Sequence, residues 1–499
     1  MDVVSTTLEV ITSTVSRQEF QHSVLIFLIV GVLLAFLLGF SLGAHDVANT
    51  FGTSVGSKVL TIHQAYFLAT IFETAGAILL GYNVVTTMRK SVVDTSLYVG
   101  EEREFFIAQL AVLAACSLWL LITTFLQLPV SSSHSIVGST VGFSIALKGF
   151  VGINWGMIAG IASSWVISPV FSGLVSGFLY ILVDMLVLRR RNPVKCGLRC
   201  IPFFYFFCIA FNVFTIVFQG SKIIGIEDVP LGWAMLIALV LGVLTGLSVQ
   251  FVMRPYLLRY INKVDEPAPA VKTDPNGGAM TVAPGPHPHV HPHQPFSLVP
   301  SKFVHWLLPS KDRKDDERSL RLFSTIQVFT ACFAGFAHGA NDVANVISPI
   351  AAMLSVYLED SVLQEKPASI WIFVFGAVSI CVGLWCLGHK IIVVVGEKMS
   401  HIHPASGRRQ LKEREIHSRL GFTIEFGAAV TSILASKLGL PISTTHSVIG
   451  SVVTVGSLRS GGGVQWSIFR NIVFAWLVTL PVTVGMSAAL TLLLKWLVM

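Results

Sequence analysis

Long apolar runs, interrupted twice by the same pair of polar motifs, limit what this chain can fold into more than any other feature. The first copy reads Gly43-Ala44-His45-Asp46-Val47-Ala48-Asn49, then Leu128-Pro129-Val130-Ser131-Ser132-Ser133-His134. The second reads Gly339-Ala340-Asn341-Asp342-Val343-Ala344-Asn345, then Leu440-Pro441-Ile442-Ser443-Thr444-Thr445-His446. Stretches of about 18 or more apolar residues cross the hydrocarbon core as helix, because nothing there satisfies an open backbone. Only 12% of the residues are charged and 53% are hydrophobic, whereas a soluble protein carries about 25% charged residues. The chain is expected to be an all-α polytopic membrane protein in the lipid bilayer. In such a protein the net charge of +7 reports loop sidedness, and nucleic acid is not an expected partner.

The apolar pattern predicts about twelve transmembrane helices, at 24–57, 64–83, 105–126, 131–149, 153–187, 201–219, 231–253, 322–357, 369–396, 421–438, 443–460 and 464–498. Spans 24–57 and 322–357 are too long for one straight crossing. Each is expected to break, or to add a re-entrant piece, at the Gly-Ala-[His/Asn]-Asp-Val-Ala-Asn motif inside it. The loops 188–200 and 397–420 are rich in Lys and Arg and read as cytoplasmic. Loop 254–321 lies an even number of spans from both and shares their side. Loops 84–104, 220–230 and 358–368 carry more acids than bases and fall opposite, with both termini extracellular. The second copy enters seven spans after the first. Seven is odd, so the halves form two inverted-topology repeats, an architecture in which one midplane site faces alternate sides.

The expected divisions are an N-terminal tail at 1–23, a first repeat at 24–187, two linking helices at 188–253, a Pro/Gly/His-rich loop at 254–321 and a second repeat at 322–499. The loop cannot bury enough apolar surface to fold alone. Its alternating His287, His289, His291 and His293 read first as linker and second as a weak metal tract. No cleaved signal peptide is evident, since residues 1–23 contain Glu9, Arg17 and Glu19 and lack a basic start with an apolar core. The seven cysteines give no disulfide framework. Five lie in apolar spans, and Cys196 and Cys200 lie in the Arg-rich loop.

Intramembrane carboxylates are expensive and face a cavity, a partner or a cation. Asp46 and Asp342 are such groups, and Asn49 and Asn345 follow at i+3 on the same helical face. Together they offer hard oxygen ligands for a small cation. Ser131-Ser132-Ser133 and Ser443-Thr444-Thr445 each follow Leu-Pro and open a helix. One hydroxyl caps a helix. Three, beside free N–H groups and the positive dipole end, suit an anion. Glu73 and Glu425 are two further acids in apolar sequence, and Glu425 has the alternative of reaching the interface by snorkelling. His134 and His446 read as buried hydrogen-bond partners rather than ligands.

At these residues the chain resembles the inorganic phosphate transporter (PiT) family of sodium-dependent phosphate symporters, in the form of a metazoan member. The likeness rests on both copies of both motifs, on Phe72-Glu73-Thr74 and on Gly421-Phe422-Thr423-Ile424-Glu425. It implies a plasma-membrane symporter that needs no cofactor, with Na⁺ as coupling ion and inorganic phosphate as cargo. By resemblance His45, Asp46, Asn49, Asn341, Asp342 and Asn345 would serve sodium. Ser131, Ser132, Ser133, Ser443, Thr444 and Thr445 would hold phosphate, and Glu73 and Glu425 would be acids essential to transport. His45 departs from the family's usual Asn. An imidazole is a poor Na⁺ ligand and titrates near neutral pH, which puts one sodium contact in question. Competing readings are proton-coupled transport of phosphate or another oxyanion, and a phosphate sensor without net transport. No nucleophile–base pair or phosphate-cradling loop marks an enzyme. The sequence leaves a homodimer open.

Overall fold

The computed structural model describes residues 2–128, 130–218, 228–262, 306–309, 317–394, 421–458 and 466–498, with isolated positions at 220, 225–226 and 464. The His-rich tract and loop 397–420 lie outside the described residues, as do the side chains of residues 2–16 and 47–49. Among the described residues fifteen α-helices follow in order: α1 Asp2–Gly56, α2 Ile62–Leu80, α3 Tyr82–Lys90, α4 Glu102–Phe125, α5 Ser132–Lys148, α6 Trp155–Val183, α7 Pro193–Val217, α8 Leu231–Ser248, α9 Arg254–Asn262, α10 Glu317–Glu359, α11 Ile370–Leu387, α12 His389–Val394, α13 Gly421–Lys437, α14 Thr444–Leu458 and α15 Trp466–Val498. Among the described residues the β content is one isolated bridge, Val93 with Ile153.

Nine of these helices are long and apolar enough to cross a bilayer, ten if α2 and α3, which meet at 62°, count as one broken span. Many of the large apolar side chains outside the core, such as Ile26, Leu33, Phe178, Trp233 and Leu477, are exposed, as a lipid-facing surface requires. The chain is a polytopic helical membrane protein.

One expectation is corrected. The long helices do not break at the Asp motif, because α1 and α10 run unbroken through it. Neither motif copy contains proline, and its glycine serves close helix contact instead of a turn. A Cβ on Gly43 would overlap the Ile380 carbonyl of α11, and one on Gly339 would overlap the Glu73 carbonyl of α2. The opposing helices carry matching notches, with Gly383 against the Phe40 carbonyl and Gly76 against that of Phe336. The real break is at Gly81, between α2 and α3. Residues 2–23 continue α1 as helix, since no Gly or Pro interrupts them.

Contacts recur between the halves. As α1 packs on α11, so α10 packs on α2; as α5 packs on α15, so α14 packs on α6. The last helix of each half thus lies against the other half. One face of the molecule gathers the pairs Glu101–Lys148 and Glu104–Lys495, together with Gln21 Nε2 donating to the Tyr357 carbonyl. Elsewhere Arg189 pairs with Asp184 and donates to the Trp306 and Leu307 carbonyls.

Candidate ion and anion site

Helices α4 and α5 form a hairpin, and α13 and α14 form another. Their turns are built alike. Leu128 N donates to the Thr123 carbonyl and Gln127 N to that of Thr124; Leu440 N donates to the Ala435 carbonyl and Gly439 N to that of Ser436. This is the Schellman pattern, which needs a left-handed residue. Gln127 (φ 56°) and Gly439 (φ 66°) supply it. The proline that follows each turn cannot continue a helix, and the next serine starts a new one. Ser131 Oγ accepts from His134 N and Ser443 Oγ from His446 N, both at 3.3 Å.

One hydroxyl of each triplet is therefore a helix cap, and those of Ser132, Ser133 and Thr444 point into a shared polar centre. The two turns meet there, where Ser133 Oγ donates to the Ile442 carbonyl at 2.8 Å. Asn345 Nδ2 donates to Ser132 Oγ and Ser133 Oγ, each at 3.2 Å. Thr444 Oγ1 donates to Asp342 Oδ2 at 2.6 Å. Thr445 is buried. The starts of α5 and α14, with their N–H groups and dipoles, thus adjoin the acid–amide face of α10.

Asp46 faces Asp342 across the contact of α1 with α10. Their carboxylates and the His338 ring each offer an atom within 4.8 Å of the others. Two acceptor oxygens here are buried without a partner, Asp46 Oδ2 and Asn345 Oδ1, and Asn341 Oδ1, on the residue that reaches the second hairpin turn, is a third. Buried polar atoms are nearly always satisfied, so unpaired oxygens beside two carboxylates suit a cation. Asn49 lies in α1, but its side chain is outside the described residues.

His45 is placed differently from the reading as a sodium ligand. Its Nδ1 lies 2.8 Å from Asp46 Oδ1 and its Nε2 lies 2.8 Å from the Leu128 carbonyl, with Val130 N–H at 3.4 Å from the same nitrogen. Both ring nitrogens are engaged. The second copy makes the matching contact, Asn341 Nδ2 donating to the Leu440 carbonyl at 3.4 Å. Histidine and asparagine therefore hold the same carbonyl in their respective hairpin turns.

Glu73 and Glu425 occupy separate surroundings. Glu73 Oε1 lies 3.2 Å from His338 Nδ1, and His338 Nε2 lies 2.8 Å from Asp342 Oδ2, so a buried histidine joins Glu73 to the centre. Glu425 does not snorkel. It is 3% exposed and accepts from Thr53 Oγ1, Ser54 Oγ (2.7 Å) and Thr330 Oγ1 (2.6 Å). Helix–helix packing can supply these hydroxyls more cheaply than a path to the interface. Thr330 precedes Asp342 by twelve residues, about 18 Å along α10. His134 and His446 lie edge-on at 4.8 Å between Trp165 and Trp476, and His446 Nδ1 contacts the Trp165 carbonyl at 3.0 Å.

Sequence reasoning missed His338, Thr53, Ser54 and Thr330. His338 carried a readable signal, standing four residues before Asp342 in an apolar run and so on its face. The three hydroxyls carried none.

The chain matches the phosphate transporter family over residues 42–487. The sodium-dependent phosphate transporter 1-A of Danio rerio is 30% identical, over 97% of each chain. The sodium-dependent phosphate transporter 2 of Felis catus is 30% identical over 94% of this chain and 98% of its own length. A solved structure described as the sodium-dependent phosphate transporter superposes with a TM-score of 0.74 at 31% identity, covering 94% of this chain and 99% of that one.

Proposed function

The chain belongs to the phosphate transporter family, and from that premise we propose that it is a sodium-coupled symporter moving inorganic phosphate into the cell across the plasma membrane by alternating access. The observation that carries this is the meeting of two motif pairs at one buried centre. The unpaired oxygens of Asp46 and Asn345 stand beside two facing carboxylates, and the Ser/Thr-rich starts of α5 and α14 adjoin them. Sodium at Asp46, Asp342 and the two asparagines would neutralise the carboxylates. It would also set positive charge against a phosphate held by Ser132, Ser133, Thr444 and the helix N–H groups. Cargo and coupling ion would then need each other, which is what obligatory symport requires. His45 acts as the hold on the first hairpin turn. The relatives' printed names, which specify sodium dependence, favour sodium over proton coupling.

The same reading includes the architecture. The recurring glycine notches and the exchanged last helices support two inverted repeats, 24–187 and 322–499, joined by 188–253 and the loop from 254 to 321. Twelve segments enter the bilayer, α13 and α14 being the two short ones. Whether the hairpins cross fully or re-enter, each returns the chain to its starting side, so the expected sidedness holds: termini outside, loop 254–321 inside. A homodimer is compatible with the lipid-facing surface.

The test is uptake of radiolabelled phosphate into proteoliposomes under an inward Na⁺ gradient, against equal Na⁺ on both sides and against a proton gradient alone. Concentrative uptake in the first condition only is expected. Equal uptake without Na⁺, or binding without uptake, would overturn the proposal.

A further inference from the structure

Arg89 is the unexpected charge in this molecule. It ends α3, is 8% exposed, and has no carboxylate at ion-pair distance among the described residues. Its partners are neutral: Nε donates to Gln364 Oε1 at 2.8 Å, and Nη2 donates to the carbonyls of Gln364 (3.0 Å) and Lys366 (3.1 Å). The neighbouring acid Glu359 is engaged elsewhere, accepting from Ser355 Oγ and Glu365 N. A guanidinium removed from water, bonded directly only to neutral acceptors and reached by Glu359 only through space, is costly.

Two further observations show what would complete it. Gln364 is fully buried, and its Nε2 has no partner. The guanidinium has its acceptors, and the free amide is a donor that still lacks one. Gln364 is also held at φ 53°, a left-handed conformation that is uncommon for such a side chain and is kept only where the surroundings impose it. Arg89 lines a narrow cavity of about 20 Å³ with Gln109 of α4, Thr140 of α5 and Ser348 of α10. That volume holds about one water. The cavity walls also include Ile136. Ile136 lies one turn of α5 beyond Ser132 and Ser133, and Ser348 one turn of α10 beyond Asn345. Thr140 is eight residues, about 12 Å, along α5 from Ser132.

We propose that Arg89 and Gln364 form an oxyanion-binding site at the outer end of the passage between α5 and α10, where inorganic phosphate is captured before it reaches the Ser/Thr centre. This rests on the transport reading above. The site takes phosphate as the bidentate acceptor that Arg favours. In this structure the Gln364 and Lys366 carbonyls occupy the guanidinium, and the cavity is too small for phosphate. Capture exchanges those carbonyls for phosphate oxygens as the passage widens.

Sodium-driven phosphate uptake by the wild type is the control; its absence would indict the transport reading and not this site. With uptake present, Arg89→Gln should raise the KM for phosphate about tenfold with Vmax near wild type, since electrostatic capture acts on encounter. Arg89→Lys should recover part of it. Loss of the loop contact could instead unfold Arg89→Gln, so a second measurement keeps Arg89 intact. Thr140→Cys is labelled from outside with anionic and cationic methanethiosulfonates of similar size, with wild-type labelling subtracted. Faster reaction of the anionic reagent, slowed by added inorganic phosphate, is expected. A wild-type KM in Arg89→Gln, or Thr140→Cys labelling that ignores reagent charge or phosphate or does not occur, would overturn the proposal.

Discussion

Replacing Asp342 by Asn removes one charge and almost no volume, which makes it the sharpest test of the cation assignment. The new amide oxygen can still accept from Thr444 Oγ1, now at 2.6 Å, and the fold loses no core packing. Two energies change sign between the empty and loaded protein. Without a cation, Asp46 and Asp342 offer oxygens within 4.8 Å, and two charges at that range repel by about 3.5 kcal/mol at an effective dielectric of about 20. His338, at 2.8 Å from Asp342, offsets part of this when protonated. With a cation about 4 Å from the carboxylate, the attraction is of order 4 kcal/mol on the same scale. Neutralising Asp342 therefore leaves the empty protein as stable as wild type or more so, and weakens Na⁺ binding several hundred-fold. Purified wild type and variant would be melted in choline and in sodium chloride, then reconstituted for phosphate uptake. Expected is a variant Tm in choline at or above wild type, loss of the Na⁺-dependent rise, and uptake near background. Wild-type Na⁺ half-saturation in the variant would refute the reasoning.

Three other outcomes follow from the geometry. Ser133→Ala and Thr444→Val should each weaken phosphate binding about 10- to 150-fold, the loss of one hydrogen bond to a charged ligand, while Thr444→Ser stays near wild type; competition binding of labelled phosphate decides it. Glu425→Gln should suppress uptake yet leave equilibrium phosphate binding within a few-fold, because its hydroxyl cluster lies about 18 Å along α10 from the centre; equal losses in both assays would place Glu425 in the phosphate site. His45→Asn should keep sodium-driven uptake, since Asn341 makes the matching contact in the second copy. His45→Leu should lose uptake with its hold on the Leu128 carbonyl, and indistinguishable Asn and Leu variants would remove His45 from the mechanism.

Motif residues were legible in the sequence because each combines a rare chemistry with a local rule. A carboxylate in an apolar run announces its cost, Leu-Pro before Ser/Thr announces a helix start, and duplication announces that both recur. What local pattern cannot give is the partner. Gly43 and Gly339 look like helix breakers until α11 and α2 are seen lying against them, so the breaks expected inside α1 and α10 were misplaced. The snorkelling alternative for Glu425 failed for the same reason. Thr53 and Ser54 lie about 370 residues away, and only tertiary packing brings their hydroxyls to it. His45 was read by analogy with an oxygen ligand, whereas its position in space is that of a clasp on a turn 83 residues on.

The notches of the two proposed repeats also show where their symmetry is deliberately incomplete. Gly43 and Gly383 correspond to Gly339 and Gly76, and by the same count Glu73 stands opposite Ile380 and His338 opposite Leu42. Counting between the hairpins, Glu425 stands opposite Leu113. The backbone contacts are kept and the acids are not. Buried acids and hydroxyls accordingly line α10 from Thr330 through His338 to Asp342, on one side of the centre, while Arg89 and Gln364 lie beyond its other side. A symmetric scaffold lets one site open either way. Opposite charges at its two ends give the directions different costs, since carboxylates lower the barrier for a departing cation and a guanidinium lowers it for an arriving anion. On the proposed sidedness the acids lie toward the cytoplasm and the guanidinium toward the outside, so phosphate meets its complement on entry and sodium meets its complement on exit. Uptake then needs no difference in fold between the two half-cycles, only the few side chains at which the repeats disagree.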